Sequence, residues 1–151
     1  MNKLKDLTEK VIHGAGVLIP GINTPETSQK FSLQSVHGQF LSAQSDGTVK
    51  LTARLPGPME VIQLIPTGNG KFGLQSTSGK FLSAQPNGSV EWNRDKLDIW
   101  ETWTLEQQGC NTVALKSYFG KYLSAQPNGR VEANKELAKE WEVFITEFYF
   151  S

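Results

Sequence analysis

Few residues in this 151-residue chain have types and spacing suited to reaction chemistry. Nucleophilic catalysis needs a base beside a nucleophile. The only histidines are His13 and His37, in sequence contexts that do not recur. His37 falls in a turn and reads as an exposed turn residue. The one cysteine, Cys110, follows Gly109 in a loop and reads as a surface thiol. Zinc sites require clustered Cys and His, which the sequence lacks, so no metal is expected. No glycine-rich phosphate loop leads a strand into a helix, so no nucleotide cofactor is expected either. Three glutamates, Glu60, Glu101 and Glu142, are evenly spaced. Each reads as the acceptor of a structural hydrogen bond from a nearby backbone N–H. Asn87-Gly88-Ser89 matches a glycosylation acceptor, but the same residues form a hairpin turn. The chain is therefore expected to bind rather than to catalyse.

Composition narrows the partner. Lys+Arg and Asp+Glu number 15 each, giving a formal net charge of +0. Nucleic acid is disfavoured, because phosphate binding needs a basic surplus. Apolar residues make up 38% and no apolar run reaches the roughly 18 residues that a membrane span requires. The opening MNKLKDLTEK lacks a signal peptide's apolar core. The expectation is a soluble cytoplasmic protein, a monomer or weak dimer.

The elements that would position a site come from an internal repeat. FSLQSVHGQFLSAQSDG from Phe31, FGLQSTSGKFLSAQPNG from Phe72 and VALKSYFGKYLSAQPNG from Val113 align without a gap at a spacing of about 41 residues. Downstream, Val49, Val90 and Val131 align, as do Met59, Trp100 and Trp141, then Ile62, Trp103 and Phe144. Each unit reads as four short strands: an alternating FSLQS-type strand, FLSAQ, a third beginning at the valine, and VIQLI, TWTLE or VFITE. Asp46-Gly47, Asn87-Gly88 and Asn128-Gly129 supply tight hairpin turns. Three units are too few for a propeller, whereas a closed barrel capped by three hairpins protects every edge. The fold class is all-β, a β-trefoil over 29–151 with repeats at about 29–69, 70–110 and 111–151. Inward positions are Leu33, Leu74 and Leu115; Leu41, Leu82 and Leu123; the three valines; and Ile62, Trp103 and Phe144.

Residues 1–28 form an extension in which Leu4, Leu7, Val11 and Ile12 have helical spacing before Gly14. It is expected to pack against the aromatic tail Phe148, Tyr149 and Phe150. Trp100, Trp103 and Trp141 interchange with Met59 and Ile62, which points to burial. Trp92 aligns with Leu51 and Ala133, reads as partly exposed, and is the best single candidate for stacking on a ligand, beside Asn93. Gln44, Gln85 and Gln126, with Asn87 and Asn128, complete the candidate binding set. The glutamines are not required by the turn.

These residues resemble the fascin family of β-trefoils. GKFLSAQPNGSV at 79–90 and its copies at 38–49 and 120–131 are similar to that family's hairpin between second and third strands. LPGP at 55–58 before GKFGLQS at 70–76 is similar to its unit-to-unit connection, and WETWTLE at 100–106 and WEVF at 141–144 to its fourth strand. The resemblance covers about residues 29–147 and implies binding of actin filaments. The alternative is a lectin-like module holding glycans in quasi-equivalent loop sites.

Overall fold

The computed structural model describes residues 29–149. Twelve strands follow in order: β1 (Gln29–Gln34), β2 (Phe40–Ala43), β3 (Val49–Ala53), β4 (Ile62–Gly68), β5 (Lys71–Ser76), β6 (Phe81–Ala84), β7 (Val90–Arg94), β8 (Trp103–Gly109), β9 (Thr112–Lys116), β10 (Tyr122–Ala125), β11 (Val131–Lys135) and β12 (Phe144–Tyr149). The antiparallel pairs β12–β1, β1–β4, β4–β5, β5–β8, β8–β9 and β9–β12 close a six-stranded barrel. Closure leaves the barrel no open edge. The other six strands form hairpins β2–β3, β6–β7 and β10–β11, each with a register shift at its aromatic first residue. Barrel and hairpins together are a β-trefoil.

The core is where the repeat places it. Leu33, Leu41, Ile62, Leu74, Leu82, Trp103, Leu115, Leu123 and Phe144 have no solvent exposure. Val49 and Val131 are buried, and Val90 is half-buried against the same cluster. Each such side chain contributes about 1.5–3 kcal/mol.

Phe148 and Tyr149 belong to the barrel strand β12. Phe148 pairs in register with Phe31 and stacks on its ring, centroids 5.5 Å apart. The Tyr149 hydroxyl donates to Ser32 Oγ. The extension 1–28, with its expected helix, and Phe150 lie outside the described residues.

In place of a plain loop, each third-to-fourth-strand connection holds a short 3-10 turn: Pro58–Glu60, Ile99–Glu101 and Glu140–Glu142. Asp98-Ile99-Trp100-Glu101 has the capping-box pattern of an acid three residues after a polar N-cap. The Asp98 carboxylate accepts from Ile99 N, and Glu101 accepts from Asp98 N.

Candidate binding grooves

The repeated polar residues form one threefold scaffold. Glu60 Oε1 accepts from Gly57 N and its Oε2 from Ser42 Oγ; Glu101 does the same with Asp98 N and Ser83, and Glu142 with Lys139 N and Ser124. The serine–carboxylate distances are 2.5–2.6 Å, typical of a hydroxyl on a charged acceptor. Gln44, Gln85 and Gln126 donate their amides to those same serines. The expected backbone bond is present, and the glutamates also tie each second strand to its 3-10 turn. The candidate glutamines are thus engaged inside the protein. Asp46, Asn87 and Asn128 are exposed but accept the backbone N–H two residues on. The Thr48 hydroxyl also donates to Asp46, and that bond, together with the one from Thr48 N, holds the Asp46 carboxyl below its ordinary value.

Trp92 corrects the sequence expectation. It is 2% exposed, and its indole N–H donates to the carbonyls of Leu74 and Lys80. Its backbone N–H bonds Gly47 O, as Ala133 N bonds Gly88 O and Leu51 N bonds Gly129 O. Strands β3, β7 and β11 meet one another at this point. Around the axis a large Trp92 is offset by a small Ala133 beside Leu51. Variation at this position reflects shared volume rather than exposure. A ring so enclosed cannot stack on a ligand. Asn93 is exposed, its carbonyl accepts from Arg94, and its Cβ lies against the Gly47 turn.

The exposed aromatic surface lies elsewhere, on the seams between units. The 3-10 turn of each unit meets the first hairpin turn of the next. Thr77 Oγ1 donates to Pro58 O on the first seam. On the second, the rings of Trp100 and Phe119 are tilted with centroids 5.7 Å apart, and Tyr118 packs edge-on against Phe119. On the third, Trp141 meets His37 at 5.8 Å. His37 is therefore half-buried rather than a free turn residue, and its Nε2–H donates to Ala125 O at 2.9 Å. Ile99 is 51% and Tyr118 56% exposed, so the second seam presents apolar area to solvent.

Beside Trp100 runs a groove of about 600 Å³ lined by Arg94, Asp95, Lys96, Asp98, Ile99 and Trp100, with Glu101 at its base. Leu97 anchors its loop over Gly73, where a Cβ would come within 2.7 Å of the Leu97 methyls. Arg94 pairs with Glu91, and Lys80 pairs with Asp95, holding that carboxyl below its usual range. The corresponding place in the third unit is a smaller groove of about 270 Å³ lined by Lys135, Lys139, Glu140, Trp141 and Glu142. Both tryptophans are half-buried, correcting the expectation that they lie in the core. The signal that would have found them is the acid at Glu101 and Glu142, which sets a turn just before the fourth strand.

Cys110 is exposed. Among the described residues no group of three or more His, Cys, Asp or Glu side chains is placed to hold a metal ion. No described helix is long and apolar enough to cross a membrane.

A family model for the fascin domain matches residues 87–149. No curated protein matches the chain. Among solved structures, the chain is similar to a designed threefold-symmetric protein, ThreeFoil, with a TM-score of 0.69 at 18% identity. That match covers 78% of this chain and 96% of the other. At this identity the likeness speaks for the fold.

Proposed function

We propose that this fascin-like β-trefoil is a non-catalytic binding module that takes a glycan in the Trp100 groove, with the Trp141 groove as a second, quasi-equivalent site. The observation that supports this reading is a half-buried tryptophan walling a groove whose other sides carry Arg94, Asp95 and Asp98. A pyranose has an apolar C–H face and a rim of hydroxyls. The indole suits the first, and a guanidinium with two carboxylates suits the second. The volume is that of a ligand cleft. Trp92 and the repeated glutamines hold the scaffold, and the ligand role passes from them to Trp100.

A second reading, actin-filament binding, is favoured by the fascin-domain match over 87–149 and is what that resemblance implies. In it the exposed Ile99 and Tyr118 would meet a protein surface. A formal net charge of +0 gives no long-range steering toward an acidic filament.

A glycan array probed with wild-type protein and Trp100→Ala, beside actin co-sedimentation at two salt concentrations, separates them. Saturable glycan binding that weakens about tenfold in the variant supports the glycan reading. Salt-resistant pelleting with filaments and a blank array would replace it with the second.

A further inference from the structure

The two grooves share a tryptophan but not a charge pattern. We propose that the Trp141 groove is selective for an acidic sugar, one bearing a carboxylate or sulfate. This inference rests on the glycan reading above.

Around Trp100 the charges other than Lys96 are matched locally, and the third unit has Leu137 where Lys96 stands. Arg94 pairs with Glu91, Asp95 with Lys80, and the Asp98 carboxylate caps Ile99 N. The third unit keeps the second of these arrangements and changes the other two. Lys135 stands where Arg94 does, but Glu132, the counterpart of Glu91, is already held by Arg130 and by the amide of Asn134. Glu136, the counterpart of Asp95, pairs with Lys121. Lys139 stands where Asp98 does, reversing the charge at the N-cap of the 3-10 turn.

Lys135 and Lys139 therefore line the groove without an ion-pair partner among the described residues. The carboxylates against them are Glu140, which is exposed, and Glu142, whose oxygens are taken by Ser124 and Lys139 N. An anionic substituent on a sugar stacked over Trp141 would find two ammonium groups as donors. Charge-assisted bonds of this kind are about twice as strong as neutral ones. His37, whose ring faces Trp141, spends its Nε2–H on Ala125 and closes that side of the seam. The groove is also less than half the size of its neighbour, which suits a single residue rather than a longer stretch.

Isothermal titration of the full chain with tetragalacturonate and with neutral galactotetraose, at low and at physiological salt, tests this. Tetragalacturonate should bind about tenfold more tightly at low salt, and raising the salt should narrow the gap. The double variant Lys135→Gln/Lys139→Gln should erase the preference, as should Trp141→Ala. Lys30→Gln/Lys71→Gln, at exposed lysines that line neither groove, should leave it in place. Equal affinities, or a preference that survives the Lys135/Lys139 double variant, overturn the inference. If the neutral sugar binds with no acid preference, the inference fails and the glycan reading stands. If neither sugar binds and the glycan array is blank, both fail.

Discussion

A buried carboxylate costs several kcal/mol unless donors replace its hydration. Glu60, Glu101 and Glu142 are each no more than 6% exposed, and each meets that demand with one serine hydroxyl and one backbone N–H. Replacing Glu101 with Ala would take the acceptor from the Ser83 hydroxyl hydrogen and from Asp98 N together. The expected loss is about 2–4 kcal/mol in urea unfolding, and a loss below about 1 kcal/mol would show that the network is dispensable. Trp92→Ala should cost about 3–5 kcal/mol, through the cavity and the loss of the indole's bonds to Leu74 O and Lys80 O, while leaving ligand affinity per folded molecule unchanged. Tyr122 offers a pH test. Its hydroxyl donates to Glu106, and that bond, with burial and the nearby negative charge, raises the phenol above its ordinary value. The folded state then keeps its proton where the unfolded state gives it up. Stability from this bond is present below about pH 10 and falls as the pH rises through the folded value. Tyr122→Phe should flatten the alkaline end of the stability curve, and an unchanged curve would remove Tyr122 as its cause.

At the level of elements, the three Asx-Gly hairpins do more than reverse the chain. Their glycine carbonyls accept from the third strand of the neighbouring unit, so each turn is inserted between hairpins around the axis. Gly88 and Gly79 have nearly equal φ, +91 and +88, but a Cβ at Gly88 would meet Asn134 Cβ at 2.8 Å while one at Gly79 meets nothing within 4 Å. Both alanine variants carry the cost of left-handed backbone, about 1–2 kcal/mol. Gly88→Ala should cost more by at least about 1 kcal/mol in thermal unfolding, because the neighbouring hairpin must move. Equal losses would mean the hairpins are not pressed together. The period, the strands, the turn glycines and the inward leucines were all legible in sequence, because alternation and Asx-Gly pairs are local signals. The nesting of hairpins was not, since it joins residues such as Ala133 and Gly88 through backbone atoms that every residue carries. Trp92 was misread for the same reason: its partners Leu51 and Ala133 share space with it only after three units close.

For the whole molecule, the symmetry is kept by the barrel and broken at the seams. The positions that hold the fold are chemically alike in all three units. Those between units diverge: Thr77 on Pro58, Trp100 with Phe119, Trp141 with His37. A module of this kind presents unequal grooves on an equal scaffold, and Trp100→Ala should reduce binding without lowering stability by more than about 2 kcal/mol, since its ring is only half-buried. The most direct measurement follows the four indole N–H resonances by NMR while the oligosaccharide selected by the array is added. The account predicts that Trp100 shifts most, with Trp141 next, while the enclosed Trp92 and Trp103 stay in place. Saturable binding with Trp100 and Trp141 both unmoved would contradict it.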